Sequence, residues 1–450
     1  MREALEEALD VLGNLGEYFP STPRLHNVVI ELTRTRRLFR SKTNEMILRL
    51  PLMQNTDKVA ALQILNLIFP VTYRTNPMLN GLVTSRMLQL TLRFGLNAIS
   101  TVAFASFGSI LASFYKNKDD AYRCSDLAME LLERFETKEY IPRLHVFVYA
   151  EILPYKIPLR ELCPYLLQAF HTGIETGDIQ FAMVAAMMFE GYMFFSGERM
   201  APVEKETRCF NEKAEELQQT TALGLLRPDL KFLQILMGKV ERPPRLEMLS
   251  SDLRLVVEAG DESSACVIHF LRLTLCFIFG DFEPAAVEAK ATENILQPPY
   301  IHPGFSCMLV FHCLALLAVA PCRRALARRR LLHAVKKSMA LLESFSLCVP
   351  ENCLHSFNLV QAELALVNGQ MNLARGKFII AISVATSFKD LMIQAIACER
   401  YSSFLKDQGD QAGALGRIRE AHSAYKAWGA MAKVRLLEVD FPSLMMPSKT

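Results

Sequence analysis

The sequence predicts an all-α fold, built as a solenoid of stacked helical hairpins, and three observations carry that expectation. One stretch repeats itself: LVQAELALVNGQMNLARGKFIIAISVA at 359–385 is echoed by CERYSSFLKDQGDQAGALGRIREAHSAY at 398–425. With Gly369 set on Gly409, Ala374 falls on Ala414, Lys377 on Arg417 and Ala381 on Ala421, so small residues recur where two helices of a hairpin must approach closely. Finally, no stretch of more than a few residues alternates apolar and polar positions as a strand does, and Val, Ile and Thr are not clustered between turn signals.

The repeat period is 40 residues. With apolar residues at helical spacing on both sides of a glycine turn, that length marks stacked helix-turn-helix units of the tetratricopeptide kind, wound as a right-handed α-superhelix. Such arrays bind partners far more often than they catalyse.

The same stretch carries a family resemblance. The run Cys348-Val349-Pro350-Glu351-Asn352-Cys353-Leu354-His355, followed by Leu359, Ala362-Glu363-Leu364-Ala365 and Gly369, is similar to a pattern in very large multi-sensor signalling proteins. Tyr425 to Val434, then Leu437-Glu438 and Phe441-Pro442, resembles the end of the same region, and Leu12 to Pro20, Leu50 to Met53 and Arg86 to Ala128 match its spacing. In that family an AAA-type ATPase module, sometimes preceded by a serine/threonine kinase domain, is followed by a tetratricopeptide-like helical region and then by sensor and histidine kinase modules. The resemblance implies that this chain corresponds to the helical region alone.

Composition agrees with a folded array. The chain has 450 residues, 51% of them hydrophobic and 22% charged, with a net charge of +3. A compact globular core of that size usually splits, whereas a repeat array does not have to, because each unit packs on its neighbours. The expected organisation is a divergent helical array over 1–300, an apolar helix and a basic helix over 301–345, two clear repeats with a capping helix over 346–444, and a tail at 445–450. Eleven cysteines, an odd number without any Cys-X-X-Cys pair, point to core thiols in a reducing compartment, the cytoplasm. The stretches 95–115 and 305–322 are apolar enough to suggest membrane spans. The first, however, carries Asn97 and several hydroxyls, and the second is short and ends at Pro321-Cys322, so no membrane partner is expected.

Taken in order, a stripe of Leu5, Ala8, Leu12 and Leu15 predicts a first helix, broken by Phe19-Pro20-Ser21-Thr22-Pro23. Helices are expected at about 24–39, 43–50 and 56–69, then three between Met78 and Phe135, and others over 140–153, 159–173 and 178–195. At Gly177-Asp178, Gly197-Glu198 and Gly409-Asp410 the glycine is suited to close one helix and the acid to begin the next. Two proline-rich loops, at 241–245 and 297–304, are the expected breaks in the stack.

The chemistry of the resembled family's catalytic modules is missing. Gly238-Lys239 is followed by Val240 and Gly376-Lys377 by Phe378, so neither has the Ser or Thr, or the upstream glycine, of a phosphate-binding loop. Gly280-Asp281-Phe282-Glu283 lacks the final glycine of a kinase metal motif. His302, Cys307, His312 and Cys313 bring metal-ligand types together, but Cys307 and His312 diverge by about 140° around a helix. His355 is expected at the surface or at a helix cap. No catalytic residue, metal site or cofactor is assigned.

Charge is the remaining signal. No acid occurs between Pro303 and Leu342, while Arg323, Arg324, Arg328, Arg329, Arg330, Lys336 and Lys337 crowd into 15 residues. On a helical wheel Arg323, Arg329, Arg330, Lys336 and Lys337 fall within about 140° of arc, opposite Leu332, Val335, Met339 and Leu342. Those five cations form the candidate partner-binding face, suited to acidic surfaces of kinase or ATPase modules. Nucleic acid is not the expected partner, since no interleaved aromatic platform accompanies the run. The expected activity is therefore that of a scaffold or regulatory region, non-catalytic in itself. Purified protein should show no ATP hydrolysis or autophosphorylation above a heat-inactivated control.

Overall fold

The computed structural model describes residues 2–115, 117–240, 247, 249–293, 296 and 303–444. Among these the fold is all-α, and the only strand-like pairing is an isolated bridge between Leu52 and Leu96. The chain divides into two compact units, Met1–Leu153 with Pro164–Ala185, and Pro154–Cys163 with Ala186–Thr450. The sequence-expected boundary at 300 falls within the second. The tail at 445–450, the loop at 241–245 and residues 297–302 lie outside the described residues.

The helices of the first part of the chain are α1 (Arg2–Asn14), α2 (Leu25–Arg40), α3 (Asn44–Leu48), α4 (Thr56–Thr75), α5 (Pro77–Phe94), α6 (Ser100–Ser113), α7 (Lys118–Phe135) and α8 (Ile141–His145). α9 (Leu159–Thr176) and α10 (Ile179–Phe195) follow. Helix starts obey local chemistry. Asn55, Asn76 and Asn117 accept hydrogen bonds from the free N–H groups of α4, α5 and α7, and Pro77 occupies the first turn of α5, where no N–H is needed.

The 95–115 stretch becomes α6, a helix of 14 residues. That length spans about 21 Å, short of a bilayer core. Its apolar side chains pack in the first unit, where Phe104 and Phe107 meet Phe39. Some of its hydroxyls are satisfied locally, Ser106 donating to the Val102 carbonyl at 2.7 Å and Ser113 to the Ser109 carbonyl at 2.9 Å, while Ser109 donates to Glu151 and Ser100 lies 3.1 Å from the Thr91 hydroxyl of α5. Gly108 is needed where α6 meets α7, since a Cβ there would stand 2.8 Å from Ile152 and 2.9 Å from Cys124. The segment expected as one helix at 140–153 changes pitch. After α8 it widens into a π-helix, Val146–Ile152, which brings Glu151 to Tyr73, whose hydroxyl donates to it at 2.7 Å.

The second unit contains α11 (Met200–Glu216), α12 (Thr220–Met237), α13 (Ser250–Glu258), α14 (Glu262–Ile278), α15 (Phe282–Ala291) and α16 (Ser306–Val319). It continues with α17 (Ala325–Ser346), α18 (Pro350–Val367), α19 (Met371–Ser387), α20 (Leu391–Asp407), α21 (Gln411–Trp428) and α22 (Met431–Asp440). Pro303–Cys322, with a mean hydropathy of 2.1, is long and apolar enough to cross a membrane. In the structure α16 is a core helix, buried from Ser306 to Leu317 and packed against α14, α15, α17 and α18.

The 40-residue register is visible as two hairpins, α18–α19 and α20–α21. Short loops turn each pair through Gly369 (φ +73°) and Gly409 (φ +81°), a left-handed conformation that other residues adopt only with strain. Ala374, Ala381 and Ala421 are buried completely, and Ala414 nearly so. Asp410 caps α21 through the Gly413 N–H at 2.8 Å. Glu198 does not begin α11. It pairs with Arg160, and α11 starts at Met200. This arrangement of hairpins is compatible with a tetratricopeptide-like array.

If Ala381 and Ala421 are equivalent close-approach points, Ala381→Phe and Ala421→Phe should each overpack a helix interface and cost about 1–3 kcal/mol. Urea midpoints of the two variants, compared with an exposed Ala340→Phe control, check the register.

Candidate functional site

The basic run lies on α17, and burial along that helix follows the expected wheel. Val335 and Leu342 are buried and Leu332 and Met339 partly so, while Arg329, Arg330, Lys336 and Lys337 are exposed. The anchoring contacts are on the inner side. The Val335 carbonyl faces the Cys313 thiol of α16, Ser338 lies 3.5 Å from His312 Nδ1, and Arg328 reaches across to the Val367 carbonyl at the end of α18.

Arg323 departs from the expected set. It precedes α17 and pairs with Glu283 of α15, so its charge is already answered within the chain. Arg329, Arg330, Lys336 and Lys337 have no acidic partner among the described residues. Four like charges on three turns repel one another, and solvent screening offsets this in the free protein. Sequence alone could not assign Glu283 to Arg323, because the two meet by tertiary packing 40 residues apart.

Other polar groups converge near a cleft of about 160 Å³ lined by Arg160, Ser196, Asn352, Phe388 and Asp390. His355, expected at the surface or at a cap, is instead buried, with Nε2 2.8 Å from Asp390 Oδ2. The correction has a plain cause: His355 lies on α18 facing the start of α20, a neighbour created by the hairpin stack. Asp390 Oδ1 also caps α20 through the Ile393 N–H at 2.8 Å. Asn352 accepts from the Leu159 N–H at 2.9 Å, and Arg160 donates to the Ser196 carbonyl at 3.0 Å. These groups are held in structural bonds, a clasp between helix ends.

Cys209 and Cys322 are exposed, whereas the thiols of Cys307 and Cys313 on α16 and of Cys353 on α18 are held in the core. Burial pushes Cys313 and Cys353 up to about 12 and Cys307 well above the ordinary thiol range. Burial lowers His312 to about 4, so it is neutral in the core, and its Nε2 has no partner among the described residues. No group of three or more His, Cys, Asp or Glu residues suited to a metal occurs among the described residues, and His302 of the considered quartet lies outside them.

A pair of carboxyls escaped the sequence analysis altogether. Glu190 of α10 is buried, with the charge of Asp229 of α12 acting on it, while the Thr207 hydroxyl of α11 donates to the Val203 carbonyl at 2.9 Å. Neither has an ion-pair partner among the described residues. Burial, then the Asp229 charge, holds Glu190 well above the usual carboxyl range. Asp229 is partly exposed as a residue, yet its carboxyl lies inside the protein, and burial raises it to about 7. The contact joins residues 39 apart on different helices, so no local motif announces it.

No protein-family model and no curated protein sequence matches this chain.

Because the folded carboxyls hold protons that the unfolded chain releases at lower pH, their contribution to stability is fully present below the unfolded carboxyl range. It is lost as the pH rises through about 7. Glu190→Gln combined with Asp229→Asn should flatten that part of the pH profile and raise Tm at the alkaline end, measured by circular dichroism melts across the window.

Proposed function

We propose that this chain is a non-catalytic helical-repeat scaffold or regulatory region in signal transduction, and that the outward face of α17 docks acidic surfaces of partner proteins. The observation that carries the proposal is the set Arg329, Arg330, Lys336 and Lys337, exposed together and without acidic partners among the described residues. An acidic surface would relieve their mutual repulsion and raise the encounter rate. The signalling context rests on the resemblance of the 348–369 and 425–442 patterns. Of those residues, Cys353, His355, Leu359, Ala362, Glu363 and Ala365 are buried, which supports a shared helix-packing pattern and not shared chemistry. Free cysteines throughout the chain support a reducing compartment, the cytoplasm. No cofactor, metal, nucleic acid or membrane enters the proposal.

A second reading has the chain as part of a longer ATPase or histidine kinase polypeptide whose catalytic modules lie outside these residues. The absence of a phosphate-binding loop, beside the resemblance to that family's helical region, favours it over catalysis by this chain.

Each exposed charge pair contributes about 0.2–1 kcal/mol, so reversing four cations removes the attraction and adds repulsion. Arg329→Glu, Arg330→Glu, Lys336→Glu and Lys337→Glu together should weaken binding of a Glu-rich peptide at least tenfold. Helicity should be unchanged, and wild-type affinity should fall as salt rises. Equal affinity of variant and wild type would leave α17 as a solvated face only.

A further inference from the structure

Helix α19 exposes apolar side chains that its hairpin does not need. Leu373, Ile379 and Ile380 are 49%, 47% and 44% exposed. The next hairpin supplies an internal comparison, because the 40-residue register places Leu373, Ile379 and Ile380 on Gly413, Arg419 and Glu420 of α21. The same places in the fold are thus filled there by glycine and charged residues. α19 also contains no acid along its whole length.

The direction of this face follows from two contacts. Lys377 reaches Asn358 of α18 at 3.1 Å, whereas Arg375 lies over the Phe404 ring of α20. Leu373 and Ile380 stand within about 60° of Lys377 around α19, hence on the side toward α18. α17 packs on α18 as well, and Arg328 touches Val367 at the end of α18. Arg329 and Lys336 lie about 80–100° from Arg328 around α17, closer to it than Arg330 and Lys337 are.

α17 and α19 are each joined to α18 by a short reversal, so they run in the same direction. The Arg328–Val367 contact sets their level: Arg329 stands near the height of Leu373, and Lys336 near that of Ile380. Both pairs are seven residues apart, about 10.5 Å or two helical turns.

We propose that α17 and α19 together bind one amphipathic helix of a partner protein, with acidic residues at seven-residue spacing against Arg329 and Lys336 and apolar residues against Leu373 and Ile380. The proposal deepens the acidic-docking reading and rests on it. Charge complementarity selects an acidic partner, and the parallel two-turn spacing on both helices selects a helical one.

The test uses the full chain and a synthetic, side-chain-stapled helix of about 18 residues with Glu along one edge and Leu along the other, followed by fluorescence anisotropy. Wild-type protein should bind it. Leu373→Ser with Ile380→Ser should weaken binding about tenfold or more. A stapled peptide of identical composition, with Glu and Leu interleaved around the helix, should bind wild type no better than the double variant binds the ordered one. Gly413 and Glu420 occupy the same places in α21, so the substitutions suit the hairpin, and circular dichroism verifies it. If the double variant binds like wild type while the four-site charge reversal abolishes binding, the apolar half is overturned and electrostatic docking stands. If neither variant changes binding, both readings fall. Failure of wild type to bind the ordered helix, while it still binds a Glu-rich peptide, overturns the helical partner alone.

Discussion

The close approach of paired helices across alanine is the constraint on which the C-terminal half of this molecule depends. Ala374 and Ala381 on α19, and Ala414 and Ala421 on α21, are buried where a larger side chain would push each helix from its partner. Gly369 and Gly409 close the hairpins in a conformation that other residues adopt only with strain. Once these contacts are set, every other position is committed to an inner or an outer side. The exposure of Arg329, Lys336, Leu373 and Ile380 is a consequence of packing elsewhere, so the candidate surface and the core are one problem.

Burial of polar groups shows how strongly that packing is enforced. Glu363 is covered almost entirely, and Arg400 meets it with two parallel hydrogen bonds of 2.6 and 3.0 Å. His355 and Asp390 are likewise paired, and Glu399 receives both Lys433 and Tyr425. Such pairs offset desolvation without adding much net stability, but losing one partner would leave a buried charge unanswered. Glu190 and Asp229 follow the other route open to buried acids. With no cation paired to them among the described residues, burial raises both carboxyls above their ordinary range, which ties the stability of the α10–α12 region to pH.

The legible features were those written in local periodicity. Helix positions in 24–135, the glycine turns and the 40-residue register all depend on contacts within one hairpin, and the chain spells these out at spacings of three, four and seven. The outward face of α17 was legible for the same reason. What escaped depends on neighbours distant in sequence. His355 looks like a polar residue free to face water until α20 is stacked beside α18. Arg323 looks unpaired until Glu283 of α15 is brought to it, and Glu190 shows no sign of Asp229. The π-helical turn at Val146–Ile152 was hidden too, because apolar periodicity does not distinguish one extra residue in a turn from an ordinary helix.

Repetition and divergence then separate inner from outer positions within a single chain. Two hairpins of equal register must meet equal demands on their inner sides, and they do so with the same residue type at Ala374 and Ala414 and at Ala381 and Ala421. Their outer sides answer to solvent alone, where charged residues are the undemanding solution, as at Arg419 and Glu420. Ile379 and Ile380 depart from that solution without any gain in packing, since each leaves more than two fifths of its surface in water. Exposed apolar area of this kind lowers the free energy of a complex more than that of the free chain. α17, which packs on α18 as α19 does, holds four exposed cations that have no acidic partner among the described residues. Where the repeats agree, the sequence is answering to its own fold; where they differ on an exposed face, fold stability gives no reason for the difference.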